Sequence, residues 1–188
     1  MNIHQLQVSY QMEHDRLLVR LNTHSGEELR LWLTRRMVMN LFPHMVEVSL
    51  TLDAGSAQGA SHDGANDKAL HQFRKQESLQ QADFQTPFST QGGVLPMGNE
   101  PLLATTVHVT PRENSALHLA FEENLPGASS KRCFEVVLAS QLLHGFMHLL
   151  ESALKHANWG ITLVDNNAPG ENAPVDALAT AVPPKYLN

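Results

Sequence analysis

Between positions 28 and 33 the chain alternates strictly: Leu29, Leu31 and Leu33 are separated by Glu28, Arg30 and Trp32. Successive side chains on a strand point to opposite faces, so the leucines predict a buried face and the Glu/Arg/Trp set an outer one. Thr34 follows, with a hydroxyl suited to capping a helix. The period then changes. Met37, Val38, Leu41, Met45 and Val48 recur at three- and four-residue steps, an apolar helical stripe. Pro43 lies inside that stripe and predicts a kink or break beside Phe42.

The same strand-to-helix pattern returns near the other end. Leu31 and Leu33 have counterparts in Val136 and Leu138, and Leu29 falls near Phe134. Met37, Val38, Leu41, Phe42 and Met45 fall on Leu142, Leu143, Phe146, Met147 and Leu150. Upstream, Leu17, Val19 and Leu21 correspond to Leu117, Leu119 and Phe121, and Leu6 and Val8 to Val107 and Val109. The inner faces match better than the outer ones, as expected of two units that share a buried interior. The predicted fold class is therefore α+β: duplicated β-β-β-α units with a pseudo-twofold, whose antiparallel sheets are covered by two helices.

Residues 1–52 form the first unit and 101–164 the second, with a short last strand expected over 159–164. Between them, 53–100 is rich in Gly, Ala, Ser, Gln and Pro and reads as a flexible connection with room for a short helix over 67–81. The stripe there is weak: Leu70, Phe73, Ser78 and Leu79. Residues 165–188 repeat Asn, Ala, Pro and Gly and read as a disordered tail ending in the peptide PPKYLN.

Composition narrows the function classes. No run nears the ~20 apolar residues needed to cross a bilayer, so no membrane partner is expected. The start lacks a basic segment followed by an apolar block, and Cys133 is the only cysteine, so a cytoplasmic protein without disulfides is expected. The net charge of −6 resides mainly in the connection and the tail. The two folded units are near neutral and lack the basic excess of a committed nucleic-acid binder.

Candidate chemistry is sparse. His144, His148 and Glu151 share one face of the second predicted helix at metal-ligand spacing. A solvated polar face, continued by Lys155, explains the same spacing, so no metal or other cofactor is expected. No GxSxG elbow, Walker loop or HExxH motif is present. Cys133 reads as structural, and no catalytic residues are assigned. The most suggestive surface is the outer face of the first sheet: Arg16, Arg20, Arg30 and Trp32, with Arg35 and Arg36 at the helix start. Guanidiniums beside an indole can hold phosphates while a base stacks on the ring. The Arg stems can instead cover apolar sheet, with Arg30 paired to glutamates and Trp32 buried in a homodimer or under the middle segment. Tyr186 and Leu187 mark the tail as a potential docking peptide.

The segment DRLLVRLNTHSGEELRLWLTRR resembles a motif of uncharacterised bacterial proteins, a resemblance that implies no activity. A duplicated strand-rich unit closed by a helix is similar in topology to the PUR and Whirly folds, which bind single-stranded nucleic acid on a sheet. The expectation is a non-catalytic binding or adaptor module that contacts a protein partner or a second copy of itself. Single-stranded nucleic acid is the alternative partner.

Overall fold

A computed structural model of the chain describes residues 2–55, 64–89, 93–128 and 130–160. The fold is α+β. Strands β1 (Ile3–Gln11), β2 (Arg16–Thr23) and β3 (Glu28–Thr34) form an antiparallel meander. Its first connection is a 3-10 turn, Met12–His14, closed by Asp15 in the left-handed region. Gly26 turns the chain into β3 at φ 82°, a conformation that disfavours a side chain. The alternation of hydrophobic residues is realised as register. Leu17 faces Leu33, Val19 faces Leu31 and Leu21 faces Leu29, with all six buried.

The second sheet repeats this pairing. β5 (Thr106–Arg112), β6 (Ala116–Glu123) and β7 (Arg132–Leu138) are antiparallel. Leu117 faces Leu138, Leu119 faces Val136 and Phe121 faces Phe134. These are the residues that align with the β2–β3 pairs. Between the sheets, β4 (Leu102–Leu103) lies parallel to β3 and pairs with Leu31 and Trp32. Residues 102–112 thus run from the edge of the first sheet into the second.

Three helices complete the fold: α1 (Arg35–Gly55), α2 (Gly64–Gln81) and α3 (Ser140–Ala157). The Thr34 hydroxyl accepts the Met37 N–H at 3.2 Å, capping α1 as its position predicts. α1 packs on β3 and reaches β5, while α3 lies across β1 and also touches β6 and β7. Each of these helices therefore covers part of the other unit's sheet. Leu31 and Val136 lie in the same core cluster, with Met45, Phe146 and Leu150. Fully burying a leucine-sized side chain stabilises by about 1.5–3 kcal/mol, so this common interior outweighs what either sheet could bury alone.

Several expectations change. α1 passes through Pro43 without a break. Proline removes one helical hydrogen bond, but Pro43 and Met39, whose carbonyl is freed, are both exposed, so water can satisfy the carbonyl. The connection is more ordered than its composition suggests. α1 continues to Gly55, and α2 is an 18-residue helix that packs on α1 and α3. Trp159 and Gly160 are not in a strand, and the rest of the expected strand over 159–164 lies outside the described residues, as does the tail. No helix among the described residues is long and apolar enough to cross a membrane.

Candidate functional site

The outer face of the first sheet is occupied by its own chain. Glu28, which alternation places outward, is buried. Arg20 donates to its carboxylate, with Nη2 at 2.7 Å from Oε1, and Arg30 Nε lies 3.9 Å from the same oxygen. The guanidinium of Arg20 also sits 4.5 Å from the Phe88 ring centroid. Asn22 donates to the Ser89 carbonyl, Gln5 to that of Pro87, and Arg30 to that of Asn99. Val94 bridges the strand start at Glu27, and its carbonyl accepts the Glu28 N–H at 2.8 Å. Residues 87–89 and 94–99 thus lie over the face on which phosphates would have to bind.

The remaining sequence-marked residues divide between structural work and solvent. Trp32 is half-buried, its ring 5.1 Å from that of His14, and its carbonyl accepts the Ala104 N–H. Arg35 donates to the Trp159 carbonyl at 2.8 Å. Arg16 is partly exposed and Arg36 exposed. Tyr186 and Leu187 lie outside the described residues.

The second sheet presents the opposite picture. Its outer face carries Thr106, His108 and Thr110 from β5, His118 and Glu122 from β6, and Cys133, Glu135 and Val137 from β7. Val137 is 53% exposed. His118 faces Glu135 at 3.3 Å and His108 faces Glu122 at 3.5 Å. β7 keeps register with β6 over all seven residues, and no described residue pairs with its other edge. The corresponding edge of the first sheet, β3, is filled by Leu102–Ala104. Partial burial and the carboxylates of Glu135 and Glu122 push the exposed Cys133 thiol up, which disfavours the thiolate and leaves it a poor nucleophile.

A buried polar centre lies among the helices. Asp53 near the end of α1, His71 on α2 and His144 on α3 converge, all buried. His71 Nδ1 is 2.7 Å and His144 Nε2 3.3 Å from Asp53 Oδ2, while Arg74 Nη1 lies 3.4 Å from Oδ1. The His144 contact misses hydrogen-bond geometry. Burial pushes the Asp53 carboxyl up, yet the imidazoles of His144 and His71 outweigh it and hold the carboxyl well below the usual range.

The three residues marked by helical spacing, His144, His148 and Glu151, do not converge. His148 packs its ring 5.2 Å from that of Phe84, and Glu151 pairs with Lys75 at 3.3 Å and Lys155 at 3.4 Å. Only His144 belongs to the centre: it is buried, whereas His148 and Glu151 are half-buried and Lys155 is exposed.

Asp53 and His71 escaped the sequence reading because their helical faces are polar. On α2 the residues turned inward are Asp67, Leu70, His71, Arg74, Lys75, Ser78 and Leu79, a stripe at three- and four-residue steps with little apolar content. Phe73 points away and is 64% exposed. On α1 the buried series Val38, Leu41, Met45 continues through Ser49 to Asp53. Helical spacing counted without regard to polarity would have found both. No protein-family model, curated protein or solved structure matches the chain, so the site rests on its own geometry.

Proposed function

We propose that the chain is a non-catalytic binding module that takes up an extended segment of a partner protein along β7. One contrast carries this reading: the β3 edge and the outer face of the first sheet are met by residues 87–89 and 93–104 of the same chain, whereas the β7 edge and the outer face of the second sheet are bare among the described residues. An unpaired, unbulged strand edge is a template for another strand. Main-chain hydrogen bonds along it supply affinity, and alternate side chains supply specificity. The face beside the edge sets the chemistry of the partner. Val137 offers apolar contact, while Glu135 and Glu122 favour a basic residue. The fitting ligand is an extended peptide that alternates apolar and basic side chains.

Peptides selected by display on the immobilised full chain provide the test. Val137→Lys places a like charge beneath the basic residue and removes the apolar contact. It is expected to weaken the selected peptides at least tenfold while leaving the far-UV spectrum unchanged. Equal binding by the variant would move the partner site elsewhere.

Single-stranded nucleic acid on the first sheet is the second reading, and it draws less support. Arg20 and Arg30 are engaged with Glu28 and with the segment above them. A salt-steep oligonucleotide shift abolished by Trp32→Ala would reverse the preference.

A further inference from the structure

His144 poses a problem for a purely hydrogen-bonded interior. It is 1% exposed, and neither ring nitrogen has a hydrogen-bond partner among the described residues. An imidazole always carries at least one N–H and usually one lone pair, and burying both unanswered is unfavourable. His71 has no such difficulty, since its Nδ1 meets Asp53 at 2.7 Å. What His144 Nε2 faces is a carboxylate oxygen 3.3 Å away and a second imidazole whose ring centroid is 5.3 Å from its own. Two histidines and a carboxylate, one from each of three helices, point their donor atoms at a common space. The three donors lie within 4.8 Å of one another.

We propose that Asp53, His71 and His144 form a zinc site that fastens α1, α2 and α3 together. Imidazole nitrogen and carboxylate oxygen are zinc's usual donors alongside thiolate, and this mixture disfavours magnesium and calcium, which prefer oxygen alone. Donors held tetrahedrally at zinc's bond lengths stand roughly 3.3 Å apart. The Asp53–His144 separation already has that value. The Asp53–His71 contact would open by about 0.6 Å as a direct hydrogen bond gives way to a shared ion. Arg74 approaches Oδ1, the carboxylate oxygen that neither histidine contacts, and so orients the group with Oδ2 toward the ion. Three protein donors among the described residues leave one position open. The ion would answer the His144 Nε2 lone pair; Nδ1 is unaffected.

This site is independent of peptide binding on β7, and its test is separate. Full-length protein stripped by chelator and titrated with zinc is expected to bind one ion per chain and to melt at a higher temperature when loaded. This arm needs no variant. Zinc affinity should fall at least tenfold in His71→Ala and Asp53→Asn and remain unchanged in His148→Ala. Cobalt substituted for zinc should give the visible absorption of a four-coordinate centre in the wild type and lose it in His71→Ala. Failure of the stripped wild type to bind zinc, or unchanged binding by folded His71→Ala, would overturn the proposal. Loss of zinc in His148→Ala alone would also overturn it by placing the ion on the α3 surface.

Discussion

Trp159→Ala is expected to destabilise the protein by about 3–5 kcal/mol, the range for truncating a buried large aromatic. Trp159 follows the C-terminal end of α3 yet is only 5% exposed, because it closes over the first turn of the chain. Its indole N–H donates to Asp15 Oδ1 at 2.7 Å, and the Tyr10 hydroxyl donates to the same oxygen at 3.0 Å. The Tyr10 and Trp159 rings meet edge to face at 5.8 Å. Arg35 fixes the Trp159 carbonyl from the start of α1. One residue thus joins the end of the second unit to β1, the β1–β2 turn and α1. Trp159→Phe keeps most of the packing and loses the hydrogen bond, so it should cost about 1–2 kcal/mol. Urea unfolding followed by far-UV circular dichroism reads both variants. Equal, small losses would show that Trp159 packs without joining the units.

Glu123→Gln is expected to cost about 2 kcal/mol at neutral pH, the scale of a charge-assisted hydrogen bond lost in a mostly buried setting. Glu123 ends β6 and is buried; Arg132, which begins β7, reaches its Oε2 at 2.6 Å. The same carboxylate accepts the Leu103 N–H from β4. Arg132 also donates to the carbonyls of Met97, Glu100 and Pro101. The pair therefore pins the segment that covers the first sheet to the root of the second. Hydrogen bonding from Arg132, assisted by Leu103 N–H, outweighs burial and holds the Glu123 carboxyl below its ordinary value. A depressed carboxyl contributes stability above its unfolded pKa, about 4.3, and loses it as pH falls through the folded value. The gap between wild type and Glu123→Gln should therefore be full at pH 7 and close progressively below about pH 4. A gap that persists undiminished in strong acid would mean that the charge is not what matters.

How much of this could be read beforehand depended on where apolar residues do the packing. Leu17, Val19 and Leu21 against Leu29, Leu31 and Leu33 could be paired from alternation alone, as could Leu117, Leu119 and Phe121 against Phe134, Val136 and Leu138. Thr34 announced the start of α1. The Pro43 break did not occur, because an exposed proline sacrifices a bond that water replaces. α2 was expected over 67–81 but only on a weak stripe, since its inward face is His71, Arg74, Lys75 and Ser78 while its one phenylalanine faces solvent. β4 is two residues long, too short for any period. Pairing of Arg30 with a glutamate and cover by the middle segment were one reading of this face, but not which residues would supply the cover, because Phe88, Ser89, Val94 and Asn99 act largely through backbone carbonyls and single contacts that no repeat reveals. Asp53 looked like the first residue of a polar loop and is instead the last buried position of a helical stripe.

Backbone amide exchange on the free protein and on the protein saturated with a display-selected peptide measures the contrast between the two sheets most directly. Without peptide, β3 amides facing Leu102–Ala104 should exchange slowly and the free-edge amides of β7 fast. With peptide, the slowing should be confined to β7 and its outer face. Slow exchange on β7 before any peptide is added, or peptide protection that falls on β1–β3, would contradict the assignment of β7 as the open binding edge.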